Sequence, residues 1–594
     1  MNTSSVSGKS WIFKKYNQEE LLFLKENFSL DEITSKLLSI RKIKREDINT
    51  FLNPSIKNIL PNPNNLIDMT KSTIRTILAI KNNEKIGIFG DYDVDGATST
   101  ALLGRYFSEL KLSFEIYIPD RKKEGYGPSK KSFEILINQG VKIIFTVDCG
   151  TLAFEPIDYA KENKTDVIVL DHHQSEVKLP NAFSIVNPNR IDDKSNLQYL
   201  CAAGVTFMFL VSLNKELRLR NWFKINNISE PNLINYLDLV SLGTVCDVVP
   251  LVGLNRAIVK QGLKILKSKK NLGLKTLLDI CGIESSPSVY HLGYMLGPRI
   301  NAGGRVGKCS HGANLLLNSD PKHAFKLASE LDQYNKERQI LEKDLLQKIL
   351  EESENFSNDP VLVLSGANWH EGIIGIVAAR LKDKFNKPVI IISIDNNIGK
   401  ASARSIVGFD IGSAIISATQ ENILLKGGGH KMAGGFSLNV KNIQKFKDFI
   451  IRKFKNINED LSREKPLYLD SIISPTALNI DFFNKVNVLA PFGSGNPEPK
   501  FIIEDLKTVN SKIVGEKHIK SVLVGLDGTS FKTIAFNAVE NDLGGYLLKK
   551  NNKSFNIAGK LSLNEWKGQS NVEFIIDDIS VNKTLKNTVP SSIG

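Results

Sequence analysis

Three carboxylates alternate along one short stretch, Asp91, Asp93 and Asp95 in Gly90-Asp91-Tyr92-Asp93-Val94-Asp95-Gly96. The apolar run Ile86-Gly87-Ile88-Phe89 leads directly into them. Residues two apart on an extended chain project to the same side, so this spacing predicts a shared metal site. Carboxylates held together repel unless cations offset their charge, and hard oxygen ligands select Mg²⁺ or Mn²⁺. Two plainer readings compete. The first six positions also fit a calcium loop, but the bidentate Glu of that loop falls on Leu102, and a strand rather than a helix precedes the motif. An acidic turn that is merely solvated is the other, and the rest of the chain argues against it.

The elements that must position these residues alternate. Strands are predicted at 86–89, 114–118, 143–147 and 167–170, and helices at 97–109, 129–138 and 154–162, an order that implies a mostly parallel sheet covered by helices. Ligands of such sheets gather at the carboxyl ends of the strands. Val147-Asp148-Cys149-Gly150 closes the third strand and Leu170-Asp171-His172-His173 the fourth, while Asp247 follows the apolar run Leu242-Gly243-Thr244-Val245-Cys246 and is read as a further acid-bearing strand end. One Asp after a strand is ordinarily a helix cap. Four such ends beside two histidines point to one metal-binding crevice.

At 594 residues the chain has room for three or four domains. Its 42% hydrophobic and 24% charged content is that of an ordinary globular protein, and no apolar run reaches the roughly 18 residues needed to span a bilayer. Residues 1–16 hold no secretory core. Five scattered cysteines without a C-x-x-C pair argue against a disulfide framework and a zinc knuckle, and for a reducing compartment, the cytoplasm. A net charge of +13 on a chain whose leading motif is acidic fits a polyanionic substrate, its phosphates drawn by Lys and Arg while metals handle one of them. A genome biased toward Lys, Asn and Ile codons would give the same excess.

Residues 1–80 read as mostly helical and without chemistry, and 81–318 as the catalytic domain. A helix is predicted over 319–356, with an apolar stripe at Leu327, Leu331, Tyr334, Leu341, Leu345 and Ile349, long enough at about 45 Å to connect two domains; a coiled-coil partner is the competing use. In 357–456, Trp369-His370-Glu371-Gly372 feeds a helix whose start can bind an anion. Ser402-Ala403-Arg404 and Lys426-Gly427-Gly428-Gly429-His430 follow, the glycines read as a loop that lets backbone approach phosphates, or as a plain turn. Residues 457–466 read as a linker and 584–594 as a disordered tail. Between them, 467–583 carries short β-rich runs suited to an oligonucleotide-binding barrel, with Phe536, Phe555, Trp566 and Phe574 as base-stacking or core aromatics and Lys517, Lys520 and Lys567 near a nucleic-acid backbone.

The sequence resembles the DHH phosphoesterase superfamily and, within it, a branch of bacterial single-strand-specific DNA exonucleases. Besides the Asp91 box and Asp171-His172-His173, the resemblance rests on Ile118-Pro119-Asp120-Arg121, Glu124-Gly125-Tyr126-Gly127, Leu200-Cys201-Ala202-Ala203-Gly204-Val205, Gly297-Pro298-Arg299-Ile300-Asn301-Ala302-Gly303-Gly304-Arg305 and Ala490-Pro491-Phe492-Gly493-Ser494-Gly495-Asn496-Pro497. It implies an α/β protein in which a parallel-sheet DHH domain is joined by a long helix to a smaller α/β DHHA1 domain, followed by an OB-like β-barrel. It implies two Mg²⁺ or Mn²⁺ ions on Asp91, Asp93, Asp95, Asp148, His172 and Asp247, with Asp148 as bridge. Asp148, His173 and His430 would be catalytic, and Arg299, Asn301, Arg305, Arg380, Ser402, Arg404 and His430 would hold the substrate. The implied activity is 5′ to 3′ degradation of single-stranded DNA in repair and recombination, by a monomer that works beside a helicase and a single-strand-binding protein. Alternatives are a DHH phosphodiesterase for nano-RNA or cyclic dinucleotides, and a non-catalytic single-strand-binding relative.

Overall fold

The computed structural model describes residues 5–284, 286–351, 359–457, 465–549, 554–566 and 569–581. The chain forms two compact units, one of Pro61–Asp247 with Gly262–Ser462, the other of Met1–Leu60, Val248–Gln261 and Arg463–Gly594.

The first unit is built on a five-stranded parallel sheet in the order Phe114–Tyr117, Ile86–Gly90, Ile143–Val147, Asp166–Leu170 and Ser184–Val186. Its central strand, Ile143–Val147, and the neighbouring Ile86–Gly90 are buried at every position, as strands covered on both faces must be. Phe89, Phe133, Ile144, Ile157 and Val169 pack on one side of it. A second, mixed sheet pairs Leu362–Ala367 with Val389–Asp395 in parallel and continues antiparallel through Ile398–Arg404, Ala433–Asn439 and Lys426–His430.

The Pro321–Glu351 helix has 31 residues, and the 352–356 part of the expected span lies outside the described residues. It buries Leu327, Leu331, Leu345 and Ile349 as the stripe requires, but Leu341 is 37% exposed. Glu342 takes the inward place, 6% exposed, because Arg338 and Arg380 both bond its carboxylate. The apolar stripe packs within the unit, so no coiled-coil partner is needed to cover it.

In the second unit, Phe501–Val514, His518–Val524, Ser530–Ala535, Gln569–Ser580 and Phe555–Trp566 form a barrel that closes where Phe555–Trp566 pairs back onto Phe501–Val514. Leu24, Leu37, Leu38 and Ile48 share its core with Phe501, Ile503, Leu523 and Phe574. The described part of 1–80 is mostly helical, as expected, but it also holds a strand and contributes to both units. Lys9–Phe13 is a strand, paired in parallel with Lys465–Leu469, and Trp11 is buried because its indole donates to Asp578 at 2.7 Å. The Met69–Lys81 helix belongs to the other unit, where Thr73 and Ser212 hydroxyls meet at 2.9 Å. Of the barrel aromatics, Phe555 and Phe574 are core, and Phe536 is 51% exposed beside His518. The Trp566 side chain, Lys567, 458–464 of the linker and the 584–594 tail lie outside the described residues.

Candidate metal centre

The acidic box does not stay extended. Asp91 follows the Ile86–Gly90 strand, but Asp93 already caps the Val94–Glu109 helix, accepting from Gly96 N at 3.0 Å, and Asp95 lies in its first turn. The helix starts three residues earlier than predicted because Asp93 is a good N-cap. Turning the chain there splits the three carboxylates. Asp91 and Asp93 group with Asp148, whereas Asp95 groups with His172 and Asp247, each set having its ligand atoms within 4.8 Å of one another.

The two sets are joined by the ends of neighbouring parallel strands. Asp148 and His172 follow Ile143–Val147 and Asp166–Leu170, and a third set of Asp148, His172 and His173 overlaps both. His172 Nε2 lies 3.3 Å from Asp148, 3.6 Å from Asp247 and 3.8 Å from Asp95. Asp148 has φ +60°, a left-handed conformation that costs free energy at most side chains and collects at functional sites. Asp95 is fixed by Ala202 N at 2.6 Å and Ala203 N at 3.0 Å, which accounts for the Leu200–Val205 motif.

Asp247 corrects another expectation. Its apolar run is the Leu237–Cys246 helix, buried nearly throughout, and Asp247 is the C-cap rather than a strand end. A short apolar run does not distinguish a buried strand from a buried helix. Gly243 lets this helix close on the site, since a Cβ there would stand 2.7 Å from Asp95 Oδ1.

Burial and mutual repulsion push the Asp91 and Asp148 carboxyls well above the usual range, and Asp247 up to about 8. Asp95 is raised by burial and by Asp93, against the pull of His172. Asp91 Oδ1 and His172 Nε2 are buried without a hydrogen-bond partner. Carboxylates that resist ionisation together, next to orphaned ligand atoms, fit divalent cations, and the oxygen-rich donor set suits Mg²⁺ or Mn²⁺.

Asp171 opens the Asp171-His172-His173 motif but is not among the expected ligands or catalytic residues. It accepts from Thr151 N at 3.0 Å and from His173 Nδ1 at 2.8 Å. Burial opposes its ionisation, but His173 and His172 hold the carboxyl well below its ordinary range. Burial acts to lower His173, and the bond to Asp171 with the charges of Asp171, Asp247 and Asp93 overrides it, raising the imidazole to about 9. Tyr126, in the Glu124–Gly127 motif, donates to the Asp148 carbonyl at 2.9 Å and edges against His173.

The substrate candidates divide. Arg305 donates to Gly372 O at 2.9 Å. Its pKa falls to about 10, first through burial and then through the charges of Arg121, Arg338 and Arg404, against Asp93. Arg305 and Arg404 thus belong to one cationic group near the acidic box, with Arg404 bonded to Ser402 Oγ at 3.2 Å. Arg121 and Arg338 join them unanticipated. Arg299 is held by Asp332 at 2.9 Å, and Arg380 by Glu342 at 2.7 Å. Asn301 is half-buried on the Gly297–Val306 helix. His430 is exposed at the end of Lys426–His430, with no side-chain hydrogen bond or ion pair among the described residues. The glycines before it form no phosphate loop, because Gly428 and Gly429 pair with Gly435 and Gly434 as a hairpin. Two glycine-rich runs a few residues apart were the available signal.

The DHH family, N-terminal domain, matches residues 85–244; the DHHA1 domain matches 358–456; and the RecJ OB domain matches 469–578. The chain is 30% identical over 589 residues to the single-stranded-DNA-specific exonuclease RecJ of Bacillus subtilis, covering 97% of this chain and 72% of that one. It is 33% identical over 548 residues to the protein of the same name from Escherichia coli, covering 89% and 92%. Its fold superposes on crystalline RecJ in complex with Mn²⁺ from Thermus thermophilus with a TM-score of 0.79 at 27% identity, covering 97% of this chain and 80% of that one. With identity sustained along both chains and the three domains falling in the same order as the motifs, the chain belongs to the RecJ family.

Proposed function

We propose that this protein is a two-metal exonuclease that removes nucleotides from single-stranded DNA. The observation that carries the reading is the pair of three-residue groups, Asp91, Asp93, Asp148 and Asp95, His172, Asp247, linked by a third of Asp148, His172 and His173. Asp91, Asp93 and Asp148 would hold one ion and Asp95, His172 and Asp247 the other, with Asp148 also grouped with His172. Bound cations supply Lewis acidity toward the phosphate and ease deprotonation of the attacking water. The protein's own groups do the positioning. Asp171 fixes the His173 ring toward the centre, and the arginines around Arg305 and Arg404 present positive charge to the substrate's phosphates. Arg299 and Arg380 would bind DNA only by exchanging an acidic partner for a phosphate. His430, exposed and uncommitted, is free to donate to a phosphate oxygen.

The names of the relatives support the substrate, and the barrel with its +13 chain favours a strand over a dinucleotide. Cleavage from the 5′ end, a role in repair and recombination, action as a monomer and cooperation with a helicase and a single-strand-binding protein follow from the family resemblance. A cytoplasmic setting agrees with five free cysteines. Among the described residues no helix is long and apolar enough to cross a membrane.

The test is incubation with 5′-labelled and 3′-labelled single strands in Mg²⁺ or Mn²⁺, with duplex and dinucleotide controls. Mononucleotide release from the single strand alone is expected. Preference for the dinucleotide would transfer the protein to the small-substrate phosphodiesterases, and binding without cleavage in either metal would make it a non-catalytic relative.

A further inference from the structure

Two tyrosines stand in the open on the rim of the catalytic unit. Tyr290 is 61% and Tyr294 73% exposed, and their rings stack at 5.2 Å with 24° between planes. Tyr294 lies on a π-helical turn, His291–Leu296, that runs into the Gly297–Val306 helix, and Tyr290 immediately precedes it. Such turns are rare and concentrate at functional sites. Stacking one exposed ring on another leaves broad apolar surface in water, so burial does not explain the pair.

The opposite face of the turn is fastened to the metal centre. Leu292 and Leu296 are fully buried. Gly297 lies so close to the Leu237–Cys246 helix that a Cβ would stand 2.5 Å from Cys246 Sγ, and the Cys246 thiol reaches Leu292 O at 3.4 Å. Val245 and Cys246 directly precede Asp247, the C-cap placed in the second ligand group. His291 edges against Tyr290 and accepts from Ser288 N at 3.0 Å, which fixes the third ring of the patch. From 286 to 299 there is no acidic residue, so nothing in the segment repels a phosphate chain.

We infer that Tyr290 and Tyr294 form a base-stacking platform for the strand whose phosphate lies at the metal centre. The inference rests on the nuclease reading above and adds a site to it. Flat aromatic faces stack any base, and a patch held rigid beforehand loses little entropy on binding. The platform would therefore seat a nucleotide near the cut by its base, whatever its identity, while the arginines take its phosphates.

The experiment measures KM and kcat in Mn²⁺ on single-stranded oligodeoxyadenylates in which one position at a time, through the first several from the cleaved end, lacks its base but keeps its phosphate. Wild type is expected to show one or two positions at which base removal raises KM about tenfold or more. A Tyr290→Ala/Tyr294→Ala protein should have that raised KM on the intact strand and lose no more at those positions, with kcat little changed. The Tyr290→Phe/Tyr294→Phe protein keeps the rings and should reproduce the wild-type profile. A flat profile in wild type, or an alanine protein with the wild-type KM, would overturn the platform. So would an equal fall in kcat on every strand, which would assign the pair to bracing Asp247. If wild type cleaves no single strand at all, it is the nuclease reading that fails.

Discussion

His172 Nε2 and Asp148 Oδ1 face each other at 3.3 Å across the ends of two adjacent parallel strands. They do not make an ordinary ion pair, because burial and the charges of Asp93, Asp95 and Asp91 raise the Asp148 pKa well above the usual range. The contact is that of two candidate metal ligands.

Asp148→Asn removes one charge at nearly constant size from the residue shared by the Asp91, Asp93, Asp148 group and the Asp148, His172, His173 group. Turnover should fall by roughly 10²–10³-fold, the scale on which a single group meeting developing charge acts. Affinity for single-stranded DNA, measured by anisotropy, should stay within a few-fold because phosphate contacts by Lys and Arg persist. Turnover within a few-fold of wild type would remove Asp148 from the centre.

Asp171→Asn tests the support of His173. The amide can still accept from Thr151 N, but it no longer offers a carboxylate to the imidazole. Partners of this kind commonly change activity by about 10–100-fold. A fall of that size in kcat, with bound metal unchanged by elemental analysis, is expected; unchanged kcat would make Asp171 a purely structural cap.

Asp238 gives the fold a pH dependence away from the metals. It is buried on the Leu237–Cys246 helix with Oδ2 unpartnered, and burial raises its pKa to about 6, against the bond from Leu239 N and the charge of Arg105. The folded state thus holds this proton more tightly than the unfolded chain. The contribution to stability is complete below about pH 4 and is lost as pH rises through about 6, by about 3 kcal/mol in all. Asp238→Asn should leave stability unchanged at pH 4 and raise the unfolding free energy by up to that amount at pH 8. Equal stability of the two proteins at pH 8 would contradict it.

Arg256, 2% exposed, donates to the carbonyls of Phe51, Leu489, Ala490 and Pro491, and its guanidinium covers the Phe51 ring at 3.9 Å. Arg256→Met keeps most of the volume and abandons four acceptors. A loss of about 3–5 kcal/mol is expected in urea unfolding of the intact protein. A loss below about 1 kcal/mol would show that water replaces the guanidinium there.

How far the sequence could be read depended on whether the cause was local. Asp148 and His172 were legible because a strand followed by an acid or histidine is a local pattern, and a parallel sheet brings such ends together. Asp95 and Asp247 are expected ligands that the fold brings together with His172, but their backbone differs from the sequence reading, since an N-cap at Asp93 and a helix buried nearly all round both imitate strand ends in an apolar text. Glu342 was hidden because its inward position depends on Arg338 and on Arg380 from another helix, and Leu341 beside it fitted the stripe better. The Lys9–Phe13 strand could not be anticipated at all. Its partner, Lys465–Leu469, lies more than four hundred residues away, and no periodicity reports pairing over that distance.

That distant pairing has a consequence for biosynthesis. Leu24, Leu37 and Leu38 are synthesised more than four hundred residues before the barrel side chains that cover them. At roughly 5–20 residues per second the gap is about half a minute or longer. For that interval the N-terminal helices carry an uncovered apolar face, a ready target for holding chaperones, while the catalytic unit has every residue it needs to fold first. A pulse-chase with limited proteolysis of nascent chains should find the two-sheet unit protected before residues 1–60 are.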